Sequence, residues 1–169
     1  MKKLLLMAAM LFALAPLCAS AQAPKVFDYQ GEVDLMCGLD AYNEVGYANL
    51  EIVNGIRFSR NLFVGAGLGL SVSLGDEAFL IPLFVDVKGY FPVARRVDLM
   101  AGIDLGTKLD YFYETTGGWL MRPEFGLHFQ FNRNLGLNVS LFYEYYGYGY
   151  ILDTREYANL VGLKLGFHF

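Results

Sequence analysis

The sequence predicts an all-β protein, an eight-stranded antiparallel up-and-down transmembrane β-barrel. Three observations carry this reading. Apolar residues alternate with small or polar ones over eight stretches, each about long enough for a tilted membrane strand. The chain starts like an exported protein but has no later continuous apolar run of about 20 residues, so no helix spans a bilayer. The connections between stretches alternate short and long, which is the layout of membrane barrels.

The first 21 of the 169 residues read as a signal peptide. Lys2 and Lys3 form its charged start, and Leu4 to Leu17 is uncharged, apolar and too short to cross a membrane as a helix. Ala19-Ser20-Ala21 supplies the small residues of a cleavage site, so the cut is expected before Gln22 and the barrel domain over 22–169. Lipoprotein processing at Cys18 is the rival, but Pro16 and Leu17 stand where that signal wants small residues. Beyond the cut only Cys37 remains, which excludes an internal disulfide. Two of the 13 basic residues leave with the leader and none of the 17 acids does, so the remainder carries a net charge of −6. A nucleic-acid partner needs a basic face and is not expected. High apolarity, export and no spanning helix together leave a closed sheet as the way to satisfy the backbone in lipid.

The eight strands are expected at Tyr29–Leu39, Tyr47–Phe58, Leu62–Leu74, Phe79–Phe91, Val97–Leu109, Trp119–Phe131, Leu135–Tyr145 and Tyr157–Phe169. Three tight turns, around Arg60, Arg96 and Arg133, recur every 36 or 37 residues, the length of a strand pair with its connections. The longer connections hold Asp40 to Glu44, Gly75 to Glu77, Tyr113 to Gly118 and Tyr146 to Glu156. An even strand count puts both termini on the short-turn, periplasmic side. Strand two has the weakest register: Val53 falls on the inner face and Asn54 on the outer one, and a bulge near Gly55 would restore the alternation.

Volume decides which face points in. Faces such as Val97, Leu99, Ala101, Ile103 and Leu105, or Val161, Leu163, Leu165, Phe167 and Phe169, are too bulky for an eight-stranded interior. The opposite faces mix glycine with charge, as in Gly102, Asp104, Gly106 and Lys108, or Gly162, Lys164 and Gly166. The charged and glycine face is therefore expected inside and the apolar face against lipid.

Over Gln22 to Phe169 the chain resembles the small eight-stranded Gram-negative outer-membrane barrels, the class of the OmpX and OmpA barrels, in pattern, turn asymmetry, leader and terminal phenylalanine. The resemblance implies an outer-membrane location, and it implies that the barrel-assembly machinery reads Leu165, Phe167 and Phe169 as an insertion signal. It speaks weakly to function, because the class holds structural proteins, adhesins and a few lipid-modifying enzymes.

Candidate sites follow from the inner face. Asp86, Lys88, Asp104, Lys108, Arg122, Glu124 and Lys164 are expected to pair across strands, together with Glu32, Asp34, Glu51, Arg57, Asp98 and Glu144, because a lone buried charge is costly. Gly65-Ala66-Gly67-Leu68-Gly69 keeps a period of two and lacks the turn and helix of a phosphate loop, so it makes interior space. His128 and His168 point inward near the periplasmic rim. A metal pair with Glu124 is weighed and set behind ordinary polar roles, and no serine stands beside either histidine. Tyr47, Tyr111, Trp119, Tyr143 and Tyr145 at one end, and Phe63, Phe91, Phe129, Phe131, Phe167 and Phe169 at the other, read as interfacial girdles. Tyr146, Tyr148 and Tyr150, interleaved with glycines, are the candidate surface contact. The expectation is a monomeric, non-enzymatic barrel with no cofactor and a plugged polar interior. A lipid-modifying enzyme and a small-solute channel are the alternatives.

Overall fold

Strict period-two patterning produces eight strands in the computed structural model, which describes residues 27–40, 45–58, 61–75, 79–110, 118–132, 135–149 and 155–169, with the backbone alone at 110, 148, 149 and 155–157. The strands are β1 (Phe27–Asp40), β2 (Gly46–Phe58), β3 (Leu62–Ser73), β4 (Phe79–Ala94), β5 (Val97–Asp110), β6 (Gly118–Gln130), β7 (Gly136–Gly149) and β8 (Arg155–His168). Each pairs antiparallel with the next, and β1 pairs with β8, so the sheet closes into an up-and-down barrel. Closure leaves no continuous free edge, which is what an apolar surrounding demands of a sheet. The expected leader lies outside the described residues, as do Arg60, Tyr111, Arg133 and Tyr150.

The closing seam runs from Glu32 opposite His168 to Asp40 opposite Leu160. Beyond it Gly31 and Phe169 exchange two backbone hydrogen bonds, of 2.9 and 2.8 Å. Gly31 lets the Phe169 ring lie against the strand, since a Cβ would lie 2.8 Å from its Cε2 and would move the ring aside.

The facing follows the volume argument. Leu35, Leu50, Leu70, Val85, Leu105, Phe125, Leu141 and Leu163 are exposed around the outside. Asp34, Glu51, Asp86, Lys88, Asp104, Arg122 and Lys164 are buried inside. The glycines make room for rings as well as charges: a Cβ on Gly67 would lie 2.3 Å from the Phe84 ring, and one on Gly166 would lie 2.3 Å from a Glu32 oxygen.

Four expectations need correction. The register of β1 against β2 and of β2 against β3 is unbroken through Gly55, so no bulge repairs strand two. Instead Val53 packs inside with Phe63, Phe84, Tyr90, Met100 and Leu120, while Asn54 stays on the outer side and accepts a hydrogen bond from the Tyr29 hydroxyl. Phe63 is not a girdle residue. It shares parity with Gly65 and is fully buried, because the glycines beside it leave a ring-sized space. Tyr47 likewise packs against an interior cluster of Met36, Phe142, Tyr146, Ala158 and Leu160. Finally, the last hairpin is longer than expected. β7 continues through Tyr146 opposite Ala158 to Gly149 opposite Arg155, because the alternation and the strand-favouring tyrosines run on past Tyr145. The Trp119 and Tyr145 rings meet edge to face at 5.4 Å on the outer side, where a girdle is expected.

The outward band sets the first test. Leu163 is 57% exposed in the middle of β8. Leu163→Arg should destabilise the barrel in a bilayer by about 2–4 kcal/mol, while Leu163→Met should change little. Urea unfolding of barrels folded into lipid vesicles measures both.

Candidate functional site: the charged interior

Inward positions of seven strands bring their charges into one network. Arg122 on β6 is at its centre. Its Nε donates to Asp104 of β5 at 2.8 Å, and its two terminal nitrogens grip Glu51 of β2 at 2.9 and 2.5 Å. One of these also donates to Glu144 of β7 at 3.1 Å. A planar guanidinium with five donors suits this fork better than an ammonium does. Its carbon lies 5.0 Å from the centre of the Phe84 ring, which supports it from one side.

Three lysines complete the network. Lys88 on β4 meets Glu32 and Asp86, each at 2.8 Å, and Glu124 at 3.8 Å. Lys164 on β8 meets Asp34 at 3.1 Å, Glu124 at 3.3 Å and Asp104 at 3.5 Å. Lys108 on β5 pairs with Glu144, with the Tyr146 ring beside it. Ser140 donates to Glu124 at 2.9 Å. Eleven of the thirteen inward charges named from the sequence meet in this network; the other two stand toward the histidine end, where Arg57 donates to Gln30 at 3.4 Å and Asp98 is buried opposite His128. The connected pairs join four cations to seven carboxylates: Glu32, Asp34, Glu51, Asp86, Asp104, Glu124 and Glu144. The formal excess of carboxylates over cations disfavours anions in this interior relative to cations and protons.

Toward the strand ends that carry the chain's C-terminus, His128 and His168 stack with ring centres 4.7 Å apart. Asn138 links them to the network. Its amide nitrogen donates to Glu32 at 2.7 Å, so its oxygen accepts from His128 Nδ1, also at 2.7 Å. Gly136 makes the space for both rings, since a Cβ there would lie 2.1 Å from His168 Cε1 and 2.8 Å from His128 Cε1. Tyr90 meets His128 edge to face at 5.0 Å and carries the Arg57 guanidinium over its ring at 4.3 Å.

These contacts bear on metal and catalytic chemistry. Glu124 turns to Ser140 and the lysines, so it does not join the histidines as a third ligand. A different triad, Asp86, Asp104 and Glu124, has carboxylate oxygens within 4.8 Å of one another. Lys88 and Lys164 contact these same three carboxylates and supply the positive charge that a divalent ion would bring. The Ser140 hydroxyl donates to a carboxylate, and so does not form the nucleophile–histidine pair that acyl transfer uses.

The candidate contact residues divide. Tyr146 is buried, with its hydroxyl donating to the Lys108 carbonyl at 3.3 Å, so it caps the interior and offers no outward surface. It points inward because it continues the parity of Phe142 and Glu144. Tyr148 lies in β7 opposite Glu156, and Tyr150 lies outside the described residues. Phe169, Phe167 and Leu165 are exposed on the outer face of the closing strand. Sequence reasoning missed Asn138, Tyr90 and the stacking of the histidines. The signal available was parity alone, since each stands at an inward position of its strand.

Removing the centre of the network should be costly. Arg122→Met should destabilise by about 3–5 kcal/mol, because it strands Glu51, Asp104 and Glu144 without their shared partner. Adding Glu51→Gln and Asp104→Asn should recover part of the loss, read from urea midpoints in the same vesicles.

No protein-family model matches the chain, and no curated protein matches its sequence. Solved structures do match. Neisserial surface protein A (NspA) is 14% identical, with 87% of this chain and 98% of that one aligned at a TM-score of 0.67. The N-terminal β-barrel domain of Pseudomonas aeruginosa OprF is 14% identical, with 83% of this chain and 97% of that one aligned at 0.50. At such identity the likeness is one of fold, and the fold is that of the small eight-stranded outer-membrane barrels.

Proposed function

We propose that this chain is a non-enzymatic, monomeric barrel of the outer membrane that contributes membrane structure and a small outward contact surface, and that its polar interior is plugged. The observation that carries the reading is the pairing of a continuous apolar outer face with one connected, buried ion network. An enzyme of this fold would need an activated nucleophile or a water-activating centre facing the substrate lipid. The lysines and Arg122 of the network are directed at its carboxylates, and Ser140 donates to Glu124, not to a histidine.

In this reading a signal peptide over 1–21 is removed before Gln22, and both termini lie in the periplasm. The assembly machinery recognises the outer face of the last strand, Leu165, Phe167 and Phe169, as it inserts the barrel into outer-membrane lipid. Outward contact falls to the tip of the last hairpin, Tyr148 and Tyr150 with the residues up to Glu156, because Tyr146 is engaged inside. Long connections tolerate change and carry binding residues, and tyrosines offer apolar area at small entropic cost.

The small-solute channel is the second reading. The carboxylate surplus favours it, since any leak through this interior would be cation-selective.

Two experiments decide. Pure protein in planar bilayers should show no reproducible open-channel current, and steady cation-selective steps would establish the channel instead. Replacing Tyr150 to Thr154 with Asn-Gly should leave the barrel folded, because that turn suits a two-residue hairpin. Partners captured from cell surfaces by the intact barrel should then be lost. Unchanged capture would return the tyrosines to a purely architectural role.

A further inference from the structure

By sequence position the charges outside the interior lean to opposite ends. Beside the short turns stand Arg60, Arg95, Arg96 and Arg133, with Asp28 the acid at that end, while the long connections and their margins hold Glu44, Asp76, Glu77, Asp110, Glu114, Asp153 and Glu156 against the single Arg155. The β4–β5 turn shows how the basic end is built. β4 runs on to Ala94, with a register shift between Pro92 and Ala94 just before the turn. Arg95 and Arg96 are both exposed at its tip, and neither has an ion-pair partner among the described residues. The turn is nevertheless fixed, because Gln130 N–H donates to the Arg96 carbonyl at 2.9 Å.

What lies beside these arginines identifies the partner. Phe91 and Val93, exposed at 57% and 70%, precede them on the outer face, and Val97 resumes it. Arg95 thus stands two residues from an outward apolar side chain on either side. The sequence repeats this spacing around Arg60, between Phe58 and Leu62, and around Arg133, between Phe131 and Leu135. Two residues of strand advance about 6–7 Å, and the headgroup layer on each side of a bilayer is about 5–8 Å deep. An arginine held this far beyond the hydrocarbon edge lies at the level of lipid phosphates. A soluble polyanion would meet the arginines without needing the flanking apolar pair.

We infer that the short-turn end of the barrel, centred on Arg95 and Arg96 with Phe91 and Val93, is a binding surface for anionic phospholipid headgroups in the leaflet it faces. The guanidinium groups take the phosphates, and the flanking apolar side chains hold the first acyl carbons. The inference rests on the membrane-barrel reading above. It adds which end meets negative lipid and through which residues.

The test uses the whole barrel in bilayers of phosphatidylcholine with spin-labelled phosphatidylglycerol or spin-labelled phosphatidylcholine, at low and high salt. Heat-dependent gel mobility and circular dichroism establish insertion separately. Wild type should favour phosphatidylglycerol at low salt and lose the preference at high salt. R95Q/R96Q should reduce the preference roughly threefold or more, and R95K/R96K should keep most of it. If R95Q/R96Q fails to fold, the wild-type salt series decides alone. An inserted wild-type barrel with no preference overturns the inference, as does an inserted R95Q/R96Q barrel that matches wild type. Retention on purified peptidoglycan that depends on these arginines assigns the surface to the wall polymer and overturns it as well. A protein that never inserts overturns the membrane reading, and this inference with it.

Discussion

Arg122 is the point on which the interior turns. One guanidinium holds carboxylates from β2, β5 and β7 while its own backbone belongs to β6, so it ties together strands that share no ladder across the lumen. An eight-stranded cross-section is only just wide enough for side chains. A charge placed there cannot retreat to bulk solvent and must be met by another side chain. The other contacts obey the same requirement: lysines beside carboxylates, Asn138 between histidine and glutamate, and glycines wherever a neighbour needs the space. The outer face has no such demand, because lipid accepts any apolar side chain without specific fit.

This difference explains what the sequence disclosed. Period two places every residue on a face, so the closed sheet, its order and the inward charges could all be read before any coordinates. Pairing could not. Asn138 reaches Glu32, more than a hundred residues away, and Arg122 reaches Glu51 across the lumen. Such partners meet only when strand tilt and stagger are set for the whole barrel. Aromatic residues were the other blind spot. Near a strand end a phenylalanine reads as a membrane-interface residue, yet Phe63 and Tyr47 stand at inward parity and fill interior space. Composition suggested girdle where parity already said lumen, and parity was the better guide. Tyr146 was misplaced for a related reason: glycine-spaced tyrosines look like loop, but the ladder continues through them.

The interior is also unbalanced. Its connected carboxylates outnumber its cations, while Arg95 and Arg96, without an ion-pair partner among the described residues, stand at the β4–β5 turn and most of the acids outside the interior fall in the long connections. Packing alone does not require this sorting, since exposed ends tolerate either sign. It gives the molecule an axis along which electrostatic potential changes, and a bilayer with differently charged leaflets would sense that axis.

The seam between Gly31 and Phe169 has a consequence for the order of events in folding. Every other ladder joins neighbours in the chain, so each hairpin forms by closing a short loop. The seam joins residues more than a hundred positions apart. Loop-closure entropy and topology both make such a contact slow. The barrel is therefore expected to pass through an open, curved sheet whose two edges, β1 and β8, stay unsatisfied until the last step. In hydrocarbon those edges cannot persist. The terminal phenylalanine is thus a kinetic element as well as a structural one: it joins the pair that completes the cylinder, and until it does, the chain has two sticky margins exposed to any neighbouring strand.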